Sequence, residues 1–244
     1  YLHSGGFSTD ITSYPDFQDK NKYTGVFSLV FKFLEGEMQQ GLEYLEEILF
    51  HTHLSDEKRL SEILLEIKSR ERMRLESTGH SYAVISAMES FSPTSFYHER
   101  VKGIRYYHFI EKLEEDFRKN PKDLGDKLTA LSKKLLDGKN LCMAVGGDVE
   151  IYRKEKESLS DFITKHFPEK EEWEESVFVG GEGERKAWIT PSQVNYVARV
   201  GSFLDKALPY TGALKVMKNA LTFDFLWKNI REKGNAYGIM SGFG

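Results

Sequence analysis

Asn229-Ile-Arg-Glu-Lys-Gly-Asn-Ala-Tyr-Gly-Ile-Met-Ser-Gly-Phe243 joins a helical pattern to a strand pattern, and this junction sets the reading of the fold. Upstream of it Leu214, Met217, Leu221, Phe225 and Ile230 recur close to helical spacing. Gly234 is the expected stop, because glycine enters the left-handed cap without steric cost. A short strand is expected over Ala236–Met240. Arg231 then falls in the last helical turn and Tyr237 at the head of the strand. Taken alone, Arg231 is a cation complementing a helix C-terminus, worth about 0.3–1 kcal/mol. Tyr237, equally alone, is a strand aromatic.

Working outward, residues 185–228 open with alternation at Val194, Tyr196, Ala198 and Val200, which predicts a strand. Residues 169–184 hold seven glutamates and three glycines and read as a solvated acidic linker between domains. Before it, about Ile151–His166 reads as a helix, and Leu141–Val145, containing the single cysteine Cys142, as a short buried strand closed by Gly146-Gly147-Asp148. Residues 37–138 read as helical. One stripe is Met38, Leu42, Leu45 and Leu49, and another is Leu60, Ile63, Leu64 and Ile67. Ser55 is the expected N-cap of the second, with Asp56 and Glu57 in its first turn. Further helices are expected over about Ser81–Phe91, Ile104–Lys119 and Lys122–Leu136, with breaks at Pro93 and Pro121. At the start, Phe7, Thr9 and Ile11 alternate with polar residues, a turn is expected over Tyr14–Lys22, and Phe27, Leu29, Phe31 and Phe33 share one face of a second strand. The fold class is α+β, an antiparallel sheet packed with helices.

The 244 residues suit one large domain or two ordinary ones, and 40% apolar residues with seventeen phenylalanines suffice for a core. A net charge of −4 carries no nucleic-acid footprint and no polybasic membrane patch. No apolar run reaches membrane-spanning length, and no signal peptide is visible. One cysteine forms no internal disulfide and fits a reducing compartment. The chain opens on Tyr-Leu-His-Ser-Gly-Gly and stops soon after a strand begins, so a fragment of a larger protein is expected.

Candidate chemistry is sparse. His-x-x-Glu-His would place two zinc ligands one helical turn apart around a general base. His108-Phe-Ile-Glu111-Lys112 and His166-Phe-Pro-Glu169-Lys170 each put lysine where the second histidine belongs, and an ammonium does not ligate zinc. His51-Thr-His53 with Asp56 and Glu57 has ligand-type residues but reads first as a helix end meeting a new cap. His80, His98 and Glu99 read as loop and surface residues. Gly-x-Ser-x-Gly is absent, and Gly180-Gly-Glu-Gly183 lacks the lysine of a phosphate loop. No zinc or other cofactor is expected in this chain.

The string Arg231-x-x-Gly234-x-Ala236-Tyr237-Gly238, closing a long helix, resembles the arginine–tyrosine motif of the pitrilysin/insulinase-type zinc metallopeptidases, closest to their presequence-protease branch. Asn235 departs from the glycine common at that place, though asparagine tolerates positive φ. Ser4-Gly-Gly-Phe-Ser8 also matches a glycine segment of the family's third unit and, like Lys233–Tyr237, is a glycine turn entering a strand. The resemblance implies four similar α/β units in two halves. Residues 1–168 would be most of the third unit, 169–184 the acidic linker, and 185–244 the opening of the fourth. It implies a zinc metalloendopeptidase for short unstructured peptides, with zinc and base held in an N-terminal half of the same polypeptide. Arg231 and Tyr237 would orient the substrate carbonyl and stabilise its oxyanion, while this chain alone would be inactive. A bacterial cytoplasm, or an organellar matrix in a eukaryote, would be the compartment. Two other readings stay open: a non-catalytic interaction subunit of the processing-peptidase or respiratory core-protein type, and an unrelated α+β binding domain.

Overall fold

A computed structural model describes residues 5–19, 21–34, 36–167, 185–190, 193–202, 209 and 211–243. The chain divides into two units, residues 1–200 and 201–244. The acidic linker expected over 169–184 lies outside the described residues.

The first unit begins with an antiparallel hairpin of β1 (Phe7–Pro15) and β2 (Tyr23–Phe31), in register from Phe7 opposite Phe31 to Pro15 opposite Tyr23. Strand alternation therefore forms where the sequence places it, though β2 ends before Phe33. The turn is held by Asp16, whose Oδ1 accepts the N–H groups of Gln18 at 2.7 Å and Asp19 at 2.8 Å. The bonds from Asp19 and Gln18 hold the Asp16 carboxyl below its usual range.

Seven helices follow in this unit: α1 (Met38–Phe50), α2 (Glu57–Ser77), α3 (Gly79–Met88), α4 (Pro93–Lys102), α5 (Ile104–Lys119), α6 (Pro121–Leu135) and α7 (Val149–His166). The predicted stripes become two cores. Met38 and Leu42 of α1 bury against Leu159 and Phe162 of α7 and against Phe167, with Leu45, Leu49 and Phe50 beside them. Leu64 of α2 buries against Phe117 of α5 and Leu124 of α6. Each such side chain, taken fully out of water, contributes about 1.5–3 kcal/mol before entropy is counted. With its small antiparallel sheet and eight α-helices among the described residues, the protein is α+β.

Several local expectations are corrected. Asp56, not Ser55, caps α2: its side chain accepts the Arg59 N–H at 2.9 Å. A carboxylate binds the unsatisfied N–H groups more strongly than a hydroxyl, so the cap shifts by one residue. Pro93 starts the unforeseen α4 at its first turn, where a missing N–H is harmless, and Ser92 caps it through Ser95 N–H at 3.1 Å. Leu141–Val145 and 193–200 are extended but form no strand ladder, and Cys142 is exposed rather than buried. Alternation marks a chain that could pair. Ladders also require a neighbour, and the described residues bring none to either segment.

Segment 185–200 belongs to the first unit. Lys186 Nζ reaches Glu89 Oε2 at 2.5 Å, Trp188 Nε1 donates to Ser86 Oγ at 3.4 Å, and the Tyr196 hydroxyl donates to the Glu76 carbonyl at 3.2 Å. The Trp188 ring lies 5.6 Å from that of His108.

The second unit is built on α8 (Ala213–Ala220), which runs on as a π-helix over Leu221–Glu232. The predicted helix is present, but its second half is wound more widely. It ends with Lys233 N–H on the Lys228 carbonyl, five residues back, and Ala236 N–H on the Ile230 carbonyl. Asn235, at φ 55°, is the left-handed residue that turns the chain, in place of the expected Gly234. Glycine is still required at 234: a Cβ there would stand 2.6 Å from the Ile230 carbonyl oxygen. Residues 236–240 are not a strand among the described residues, for the same want of a partner. The following tail returns to the helix through the Ser241 and Thr222 hydroxyls.

Candidate functional site

The end of the π-helix and the turn after it enclose a surface depression of about 490 Å³, lined by Trp227, Arg231, Glu232, Asn235, Ala236 and Tyr237. Helical winding brings Trp227 and Arg231, four residues apart, onto one side, and the Asn235 turn carries Tyr237 back beside them. Both residues singled out in the sequence therefore line the same depression. Tyr237 is 96% exposed and its hydroxyl has no hydrogen-bond partner among the described residues. Arg231 is exposed, and its Cζ lies 4.1 Å from the centroid of the half-buried Trp227 ring. No carboxylate among the described residues pairs with it.

Chemically, the depression offers donors without acceptors of matching charge. A guanidinium lying on an indole face uses its π-surface there and leaves its five N–H groups at the edge. A phenol hydroxyl adds one more donor. Such a set suits a carbonyl oxygen or a developing oxyanion. The sequence reading missed Trp227. The available signal was an aromatic residue one turn before an arginine at a helix end.

The other candidates are dispersed. In His108-Phe-Ile-Glu111-Lys112, on α5, His108 Nδ1 lies 3.1 Å from Glu111 Oε2 and Lys112 Nζ donates to Asp116 Oδ2 at 3.0 Å, an ordinary solvated helix face. His166 ends α7 with its ring between Phe50 and Phe162, and its Nε2 is 3.4 Å from Glu46 Oε2, while residues 168–170 lie outside the described ones. His51 caps the end of α1 and approaches the same Glu46 at 4.0 Å. His98 is exposed and His80 half-buried. Among the described residues no three histidine, cysteine, aspartate or glutamate side chains are grouped to hold a metal ion. Zinc therefore has no fitting donor set there.

Glu99 corrects an expectation. It is 0% exposed, not a surface residue. Its Oε1 accepts the Arg105 N–H at 3.2 Å and its Oε2 has no partner. Burial pushes its carboxyl above the usual range, and the nearby charge of Glu89 adds to the push. Glu89 is the opposite case. Burial raises it, but hydrogen bonds from Lys186 and Arg105 outweigh that and hold it below the usual range. Arg100 adds a third cation at 3.2 Å. This cluster is packed closed around its own charges and offers no ligand space.

Residues 1–113 match a family described as associated with subfamily C of the M16 peptidases. The chain is 27% identical over 242 residues to the protein HypA of Clostridium perfringens, which takes in 99% of this chain and 25% of that protein. It is 28% identical over 261 residues to the mitochondrial presequence protease of Saccharomyces cerevisiae, covering 97% of this chain and 25% of the relative. A chloroplastic and mitochondrial presequence protease of Arabidopsis thaliana matches at 21% over 85% of this chain and 19% of its own length. The chain thus spans about a quarter, or less, of the length of these relatives. No described helix is long and apolar enough to cross a membrane. Matched along nearly its whole length in this way, the chain is presequence-protease-like, of the pitrilysin/insulinase-type M16 peptidases.

Proposed function

We propose that this chain is part of the C-terminal half of a zinc metalloendopeptidase that degrades short unstructured peptides. Within it, residues 1–168 form most of a third α/β unit, 169–184 a linker and 185–244 the opening of a fourth. The chain contributes chamber wall together with Arg231 and Tyr237. Zinc and the water-activating base belong to the N-terminal half of the same polypeptide, which is the chain's partner, and peptide is the substrate. The bacterial cytoplasm, or an organellar matrix, is the compartment. The observation that carries this reading is the meeting of Arg231 and Tyr237 in one depression with their donors uncommitted. It is supported by the family likeness along the chain.

In this role the Tyr237 hydroxyl donates to the scissile carbonyl oxygen. The Arg231 guanidinium holds the same oxygen or the neighbouring peptide carbonyl from its edge. As the carbonyl becomes tetrahedral, charge gathers where these donors already stand, and their fixed backbone limits reorganisation. Tyr237→Phe removes one exposed hydroxyl and almost no volume, so the melting temperature of the full-length protein should stay within error. Turnover of an unstructured peptide should drop by a factor on the order of 10²–10³. Arg231→Lys should also lower turnover, because a lysine lacks the planar fork. Unchanged turnover in both variants would instead favour a non-catalytic interaction subunit.

A further inference from the structure

Trp227 is the lining residue of the depression that stands outside the string from Arg231 to Gly238. We infer that Trp227 is a positioning residue: its indole face fixes the Arg231 guanidinium so that the guanidinium edge points its donors at the substrate carbonyl. The inference rests on the proposed carbonyl-orienting role of Arg231.

Three observations carry it. Arg231 Cζ stands 4.1 Å from the ring centroid, well inside cation–π range. No carboxylate among the described residues competes for the guanidinium, so the indole is its only described anchor. Trp227 is half-buried in the π-helix, whereas Arg231 is exposed, so the ring is the fixed member of the pair. An exposed arginine otherwise samples many rotamers, and ordering it at each substrate encounter is unfavourable. A carboxylate anchor would order the side chain too, but would occupy the N–H edge and cancel the charge. An aromatic face orders it while leaving both free. The wide π winding is itself a rare geometry, and turns of this kind cluster at functional sites.

The test is steady-state hydrolysis of an unstructured peptide by the full-length protein carrying Trp227→Phe, Trp227→Leu, Arg231→Ala, or Trp227→Leu with Arg231→Ala. Trp227→Leu keeps an apolar side chain and removes the aromatic face, so kcat should fall about tenfold with KM changed far less. Trp227→Phe retains a ring and should recover most of kcat. In the Arg231→Ala background, Trp227→Leu should add nothing, because the guanidinium it positions is gone. Wild-type kcat in Trp227→Leu, beside an impaired Arg231→Ala, would overturn the positioning role and leave the Arg231 assignment standing. So would losses that multiply in the double variant, or a Trp227→Phe as poor as Trp227→Leu. An unimpaired Arg231→Ala would remove the carbonyl-orienting role itself, and this inference with it.

Discussion

Glu99 shows how one residue couples burial to pH. Its carboxyl lies against Gly103, where any Cβ would collide with Oε2, so only glycine lets α4 and α5 close over it. Burial is the main cause of its raised proton affinity, and only the Arg105 N–H on Oε1 opposes this through a hydrogen bond. The folded protein therefore keeps this proton to higher pH than the unfolded chain, whose ordinary value is 4.5. Above that value the unfolded chain binds fewer protons than the folded one. The stability tied to this group is thus full below about pH 4.5 and is lost as pH rises through the folded value. Glu99→Gln is neutral at every pH, so the unfolding free energy of the variant minus that of the parent should increase from about pH 5 to about pH 8. Glu89, held ionised by its cations, works in the opposite direction but is common to both proteins and cancels in the difference. Equal differences at both pH values in chemical denaturation would show that Glu99 is ionised in the fold. Nothing in the sequence around Glu99 marked it as buried. It sits between His98 and Arg100, which are both exposed, and only the packing of α4 on α5 turns it inward.

At the scale of elements, the clearest device is the extended segment 185–200 fixed to the α2–α5 helices. Lys186, Trp188 and Tyr196 are its attachments, at Glu89, Ser86 and Glu76. Lys186→Met removes the charged attachment but leaves Glu89 paired with Arg100 and Arg105, so global stability should change little. The segment should open more often. A lost hydrogen bond to a charged group is worth about 1.5–3 kcal/mol, which predicts chymotryptic cleavage after Tyr196 about tenfold faster or more under native conditions. Cleavage at the parent's rate would mean that the aromatic attachments alone hold the segment. The helix stripes of α1 and α2 were legible because one periodicity encodes both the element and its buried face. The bounds of α5 were legible because Gly103 and Asn120 flank it. The alternation at Val194–Val200 was legible as extended chain but not as an unpaired one, since pairing depends on residues far away in sequence. The π winding of Leu221–Glu232 escaped because an apolar stripe fits α and π winding about equally well over so short a run.

At the scale of the whole molecule, the question is what a quarter of a peptidase does by itself. The proposed reaction needs three things in one place: a metal with a water, a base, and donors for the carbonyl oxygen. The described residues hold only the last, in the depression of the second unit. The α5 near miss has spent its ligand-type groups on each other, with His108 on Glu111 and Lys112 on Asp116. His51 and His166 approach the same Glu46, but Lys165 reaches that carboxylate too, at 3.4 Å, and a cation in the cluster repels a metal ion. The 244-residue chain, purified and dialysed, should therefore retain substoichiometric zinc by elemental analysis and cleave no unstructured peptide in a chelator-sensitive way. Adding the N-terminal half of the same polypeptide should restore such cleavage, and Tyr237→Phe in this chain should weaken the restored activity without weakening the association of the halves. Retained equimolar zinc with chelator-sensitive cleavage by the chain alone would place a complete site within these 244 residues and overturn the division of labour. Restored cleavage that ignores Tyr237 would keep the two halves as partners but remove this chain from the chemistry, leaving it as wall. The two failures fall on different links, one on where the metal is held and the other on what the depression does.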